Sequence, residues 1–168
     1  MNAIFKRRSV RKYTNQQVTD EQVEQILRAA MAAPSARNTQ PWEFIVVRDK
    51  DTFAKIMLVH PYSSMLNEAS IALIVCGDED KDIIKGTGYW VQSCSASVEN
   101  ILIQSADMGL GSVWLGVYPR EERIKGLRDI FDLPPNIIPL AIISIGYPAE
   151  DTPPSNRFDK NRIHFEKW

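Results

Sequence analysis

Residues 85–108 read KGTGYWVQSCSASVENILIQSADM, a stretch without proline in which apolar and small side chains recur every three or four positions. This spacing predicts one long α-helix of ~36 Å, ended by Gly109 and Gly111. Trp90, Ala96 and Ile103 lie off its main apolar stripe, which comprises Val91, Cys94, Val98, Ile101, Leu102 and Ser105. We therefore expect a helix that is buried on more than one side, at the centre of a domain or at a dimer interface.

Shorter elements alternate along the rest of the chain. Thr19 opens an amphipathic helix that runs to Ala33, and further helices are predicted through Leu58 and from Pro119 onwards. Pro139 is expected at a strand end or edge. The apolar runs of strand character are residues 42–47, 71–76, 112–117 and 137–145. The order helix-helix-strand-helix-strand-helix-strand-helix-strand predicts an α/β or α+β layered fold with one sheet between helices.

Length and charge limit the classes of function. The 168 residues fit a single domain, and 20 basic residues balance 21 acidic ones, which argues against a general binder of nucleic acid or of anionic membranes. Neither a membrane span nor a signal peptide is expected, so we expect a cytoplasmic protein.

Cys76 and Cys94 are interpreted as core residues, and the distant His60 and His164 make a metal site unexpected.

The first segment that could carry chemistry is residues 6–12, KRRSVRK, with five basic side chains and one hydroxyl. Such a run is often only a solvated turn or an arm that binds nucleic acid. Guanidinium groups beside a serine hydroxyl are also the donors that a phosphomonoester dianion needs. The segment alone does not decide between these interpretations.

The second segment is the loop at residues 33–42, APSARNTQPW, between a predicted helix and a predicted strand. It could be an ordinary connection. Its small residues would also allow close backbone approach to a flat heterocycle, and Asn38 and Gln40 offer both donors and acceptors. Pro34 and Pro41 would restrict its freedom at both ends, which lowers the entropic cost of binding.

The third segment is residues 109–116, GLGSVWLG. It is not a dinucleotide-binding fingerprint, because Trp114 stands where the last glycine is required and the glycines precede a strand. The sequence also lacks a phosphate-binding P-loop and a nucleophile elbow. Hydrolase and nucleoside-triphosphatase functions therefore have no motif to support them.

Together these three segments resemble the nitroreductase family in content, order and spacing, and Gly146-Tyr147-Pro148 followed by Arg157 and His164 is similar to the family's C-terminal signature. The resemblance implies one FMN-binding domain over residues 1–168. It implies an α+β fold with a central mixed, largely antiparallel sheet flanked by helices. It also implies a homodimer with FMN at its interface and an exchanged C-terminal extension.

Residue by residue, the resemblance implies that Arg7 and Ser9 bind the FMN phosphate, with Arg8 close by and Arg157 as a second phosphate ligand. Lys160 is a weaker candidate. It places Arg11 near the pyrimidine edge of the flavin, where a cation would stabilise the negative charge of the reduced ring.

The remaining implied contacts come from the loop and from the third segment. The loop that reaches the cofactor, partly from the opposite subunit, supplies Pro34, Ser35, Asn38 and Gln40. Leu115 and Gly116 would pass beside N5 and O4 of the ring. Asn67 lies nearer to the second strand than the family's pattern expects, so it is not assigned to the site.

The implied activity is hydride transfer from NAD(P)H through flavin N5 to a small electron-poor acceptor, such as a nitroaromatic compound or a quinone, by a ping-pong mechanism. No catalytic side chain is expected, because the chemistry belongs to the cofactor. Alternatives are an FMN-binding or storage module, a flavin-dependent dehalogenase-like protein or a flavin-modifying protein. A protein that binds nucleic acid through its basic segment is a further alternative.

Overall fold

A computed structural model describes residues 2–84 and 86–168 of the chain. Five α-helices and four β-strands alternate in the predicted order. The helices are α1 (Ala3–Lys6), α2 (Asp20–Met31), α3 (Lys50–Val59), α4 (Tyr89–Asp107) and α5 (Glu121–Phe131). The strands are β1 (Trp42–Val47), β2 (Ile71–Asp78), β3 (Gly111–Gly116) and β4 (Ile137–Gly146).

The four strands form one antiparallel sheet in the order β1-β2-β4-β3. A parallel bridge between Ser9 and Ser112 adds the N-terminal segment beside β3. Side chains of β2 alternate between two apolar clusters: Leu73 packs with α2 and α4, and Ile74 packs with α3 and α5. The sheet therefore lies between two helical layers, which confirms the predicted α+β layered fold.

Helix α4 begins at Tyr89, after Gly88, so it is shorter than the predicted helix; Lys85 lies outside the described residues. The predicted apolar stripe is largely buried, and Trp90, which lies off the stripe, is buried as well, as expected for a helix that is buried on more than one side. The cause is Gly77 on β2, because a Cβ there would lie 2.1 Å from the Trp90 ring. The missing side chain lets the indole pack against β2.

Two predictions about proline are wrong. Pro119 does not open α5, because the Arg120 N–H donates to the Val117 carbonyl and a turn separates β3 from the helix. Pro139 lies in β4, an interior strand, at a register shift in which Cys76 faces Pro139 and Val75 faces Ala141. A bulge of this kind interrupts the hydrogen-bond ladder and so tolerates a residue without an N–H.

The C-terminal residues 151–168 are all exposed. The side chains of Phe158, Phe165 and Trp168 are 71%, 83% and 100% exposed. The tail is therefore not buried within its own chain, and the prediction that it packs on a partner subunit stays a prediction.

The N-terminal segment is fixed to the sheet by Val10 and Tyr13. The Val10 N–H donates to the Ser112 carbonyl at 3.0 Å, and the buried Tyr13 hydroxyl lies 2.8 Å from the Val10 carbonyl and 3.1 Å from the Ser144 carbonyl. Burial raises the pKa of Tyr13 to about 12, so the phenol remains a donor. Gly146 makes room for the Tyr13 ring, since a Cβ there would approach it to 2.9 Å.

We expect Tyr13→Phe to lower the free energy of unfolding by about 1 to 2 kcal/mol, because the ring still packs but two buried carbonyls lose their donor. Urea unfolding of the purified protein measures this change. Tyr118→Phe is the matched control, since the exposed Tyr118 hydroxyl has no hydrogen-bond partner among residues 2–84 and 86–168. Equal stability of the two variants would contradict the anchoring role of Tyr13.

Candidate functional site

The basic N-terminal segment alternates between anchoring and outward-facing side chains. Val10 is buried against the sheet, whereas Ser9 and Arg11 on either side of it are exposed. Arg7 and Arg8 are half-buried, and Arg7 Nε lies 3.5 Å from a Glu99 carboxylate oxygen. The segment thus presents guanidinium groups from a rigid backbone.

The predicted phosphate ligands are only partly brought together in one chain. Arg7 and Arg157, which are 150 positions apart, line the same cavity of about 280 Å³, with Phe5 and Phe158 in its wall. Ser9 and Arg11 line a second cavity, and Arg8 lines a third. The structure therefore joins Arg7 with Arg157 and distributes Ser9, Arg11 and Arg8 around neighbouring parts of the same segment.

Several of these cations lack an anionic partner. Arg8, Arg11 and Arg157 form no ion pair with any carboxylate among the described residues. The Nε of Arg8 is buried and has no hydrogen-bond partner there. Unpaired guanidinium groups at one segment create a positive potential that attracts an anion.

The loop after α2 has an unusual backbone. Arg37, Asn38 and Gln40 have φ values of 50°, 58° and 47°, in the left-handed region that such residues rarely adopt. Ser35 Oγ accepts the Gln40 N–H at 3.0 Å, and Gln40 Nε2 donates to Asn38 Oδ1 at 2.9 Å. These contacts hold the loop in a conformation that costs free energy, a feature that is common at ligand-binding sites.

The loop faces a different part of the molecule from the basic segment. Pro34 and Ser35 line a cavity of about 310 Å³ together with Tyr89, Gln92 and other residues of α4. Asn38 and Gln40 are exposed. Within one chain the loop and the basic segment line separate cavities, so a single subunit does not surround a common ligand with both.

Gly116, at the end of β3, is a glycine that neither packing nor a positive φ explains; Gly86, Gly88 and Gly109 also have open space beside them, but each has a positive φ. A Cβ at Gly77, Gly111 or Gly146 would clash with a neighbouring side chain, but a Cβ at Gly116 would have no atom within 4 Å. Its φ is not positive, so the backbone does not require glycine either. The preceding Leu115 is buried and anchors the strand. Nothing within the described chain explains glycine here, whereas close approach of an external group to the backbone would.

Two residues that the sequence did not indicate converge on Gly116. His60 Nε2 donates to the Gly116 carbonyl at 3.0 Å, and Arg123 Nη1 donates to the same oxygen at 2.7 Å. The Tyr62 N–H lies 3.3 Å from His60 Nδ1, which assigns the imidazole proton to Nε2. Burial lowers the pKa of His60, and the charge of Arg123 lowers it further. No sequence motif joins these residues, because they approach Gly116 from two different helices.

The remaining polar candidates do not form a second site. Cys76 and Cys94 are free and buried, and burial raises the pKa of each thiol to about 12, which confirms their interpretation as core residues. Within residues 2–84 and 86–168, no group of three His, Cys, Asp or Glu side chains could hold a metal ion. In the same part of the chain no helix has the length and apolarity to cross a membrane.

Comparison with known proteins finds a family model and relatives that match most or all of the chain. A model described as "Nitroreductase family" matches residues 4–68 and 58–147. A Methanothermobacter thermautotrophicus protein named "Putative NADH dehydrogenase/NAD(P)H nitroreductase" is 47% identical over the whole chain and 87% of its own length. A protein of the same name from Archaeoglobus fulgidus is also 47% identical, with 100% and 98% of the two chains covered.

A solved structure is similar over nearly the whole chain. The structure named "FMN-dependent Nitroreductase" from Clostridium difficile R20291 has a TM-score of 0.91 and 31% sequence identity, and the match covers 99% of each chain. The shared fold therefore includes the N-terminal segment, the loop, the open end of β3 and the C-terminal tail.

Proposed function

The chain belongs to the nitroreductase family, and from this we propose that it is an FMN-dependent NAD(P)H oxidoreductase. The observation that carries the proposal is Gly116, an exposed glycine at the outer edge of β3 that neither backbone conformation nor internal packing requires. A flat ring that lies against the backbone explains it, because a ring in close contact leaves no room for a Cβ.

The basic residues fit the phosphate of FMN. Arg7 and Arg157 line one cavity, so two guanidinium groups would offer charge-assisted donors to a phosphate dianion. We propose that Ser9 supplies a hydroxyl donor and that Arg8, whose Nε lacks a partner, lies close by. The mutual repulsion of these cations supports an anionic ligand, since its charge would offset them.

The other residues suit the ring. We propose that Gly116 and the backbone of Leu115 contact the ring edge, and that Arg11 lies near the pyrimidine edge, where a fixed cation favours the reduced state. Pro34, Ser35, Asn38 and Gln40 would reach the ring from the partner subunit, because in their own chain Pro34 and Ser35 line a separate cavity and Asn38 and Gln40 are exposed.

FMN held by these residues would supply the redox chemistry for a ping-pong transfer of hydride from NAD(P)H to an electron-poor acceptor such as a nitroaromatic compound or a quinone. The chain's own residues bind and orient. Rigid contacts in the loop, such as that between Ser35 and the Gln40 N–H, lower the entropic cost of holding the ring. No side chain at the site is assigned a role in proton transfer.

We further propose that the protein is a homodimer. The exposed aromatic side chains of the tail would cost free energy in water and become favourable when buried against a second copy. The exposed Ile4 and Phe5 of α1 add to this apolar surface. A second copy would also bring the loop to the basic segment, which explains why one chain separates them.

We expect the purified protein to be yellow, with oxidised-flavin absorbance that bleaches on anaerobic addition of NADH or NADPH and returns when a quinone or a nitroaromatic compound is added. Protein that stays colourless after incubation with FMN would contradict the proposal. Protein that binds FMN but does not oxidise NAD(P)H with any acceptor would instead be a flavin-binding module.

Arg7→Ala combined with Arg157→Ala should release FMN on gel filtration, because each substitution removes charge-assisted hydrogen bonds worth roughly 1.5 to 3 kcal/mol. Arg162→Ala is the matched control: it removes a guanidinium from the same tail, where it pairs with Asp159. Unchanged flavin content in the double variant, or equal loss in the control, would contradict the assignment of Arg7 and Arg157 to the phosphate.

Sedimentation should give twice the mass of one chain. Replacing Phe158, Phe165 and Trp168 by serine should raise the dimer dissociation constant by at least about a hundredfold and lower flavin content in parallel, because large apolar side chains lose their burial. Asn161→Ser combined with Lys167→Ser, polar changes in the same tail, should do neither. A monomer that retains FMN would contradict an interface site.

A further inference from the structure

The exposed end of β3 carries an arrangement that the proposed function does not use. Building on that function, we infer that His60 and Arg123 are positioning residues that hold the Gly116 carbonyl, so that of the two backbone groups of Gly116 only the N–H is available to a group bound at the outer edge of β3. The inference rests on the convergence of two donors from two helices on one backbone oxygen.

The direction of the Gly116 backbone follows from the pairing of β3 with β4. The Val117 N–H donates to the Leu140 carbonyl, so Val117 points toward β4. The Val10 N–H donates to the Ser112 carbonyl, so Ser112 points to the opposite, outer edge. Because an antiparallel strand alternates its hydrogen-bonding direction, Gly116 shares the direction of Ser112. Both polar backbone groups of Gly116 therefore face outward.

Of these two groups, only the carbonyl has a hydrogen-bond partner within residues 2–84 and 86–168. A carbonyl oxygen has two lone pairs, and His60 Nε2 and Arg123 Nη1 supply two donors. The nitrogens lie 3.4 Å apart, and since Tyr62 N–H faces His60 Nδ1, both carry protons directed at the oxygen. The carbonyl is thereby unable to accept a further bond, and a ring that approaches this edge must offer an acceptor to the free N–H.

The placement of Arg123 is not explained by stability alone. Arg123 forms no ion pair with a carboxylate within residues 2–84 and 86–168, and its Nε is buried there without a partner. It also lies in the first turn of α5, where the helix dipole disfavours a cation. Its contacts are the neutral Gly116 carbonyl, the neutral His60 imidazole and the face of the Tyr62 ring, whose centroid is 5.7 Å from the guanidinium carbon. Because these surroundings do not favour a cation, we assign to the Arg123 guanidinium the role of donor to the Gly116 carbonyl.

The two hydrogen bonds from His60 and Arg123 to the Gly116 carbonyl can be tested without flavin. In the full-length protein without FMN, we expect His60→Leu and Arg123→Met each to move the ¹³C resonance of the Gly116 carbonyl upfield, because each removes a donor. His60→Gln should restore the resonance, since its amide offers an N–H at a similar position. Arg128→Met is the matched control: Arg128 lies in the same helix, also binds backbone carbonyls and also has an unpaired Nε, but contacts residues 134–137.

FMN titration then tests the link to binding. We expect the FMN dissociation constant of His60→Leu and Arg123→Met to rise about tenfold, the effect of one lost or misdirected hydrogen bond, with His60→Gln and Arg128→Met close to wild type. A displaced carbonyl resonance with unchanged FMN affinity would overturn the positioning role, as would an unchanged resonance. Wild-type protein that does not bind FMN would instead overturn the proposed function.

Should Arg123→Met fail to fold, Arg123→Lys takes its place. Lysine keeps a single donor nitrogen, so we expect smaller changes in the Gly116 carbonyl resonance and in the FMN dissociation constant.

Discussion

The open outer edge of β3 is the constraint on which the rest of the site depends. An unpaired strand edge must be covered, because its N–H and C=O groups otherwise recruit other strands. In this chain the N-terminal segment covers the edge at Ser112 through Val10, while His60 and Arg123 occupy the carbonyl at Gly116. At Ser112 and at the Gly116 carbonyl the edge is therefore occupied by contacts within the chain, and the Gly116 N–H is left open.

The elements that could be predicted from sequence are those whose patterns are local. The strand Trp42–Val47 was predicted with its observed bounds, and the helix of residues 89–107 was predicted from the spacing of its apolar side chains. Contacts between distant residues could not be read from these patterns. Gly77 makes room for Trp90 because it lacks a side chain, and Pro139, which was expected at a strand end or edge, occupies an interior strand because the register shifts beside it.

The same distinction applies to the candidate site. The basic segment, the loop and the glycine of β3 could be proposed from residue types and their resemblance to a family. Arg7 and Arg157 line one cavity, and their assignment to the phosphate stays a prediction. His60 and Arg123 could not be proposed in this way, because a histidine at a helix end and an arginine in a first helical turn have many ordinary explanations. Their common partner is a backbone atom, which leaves no signal in the sequence.

A substitution at Gly116 would separate folding stability from cofactor binding, two properties that usually change together. For most of the buried glycines, a larger residue would disturb the fold, so a screen for stability would detect it. At Gly116 the space beside the backbone is empty, and the chain alone is indifferent to an added methyl group. Variation there would be invisible to any selection for folding or solubility, and visible only to a selection that requires the ring to bind.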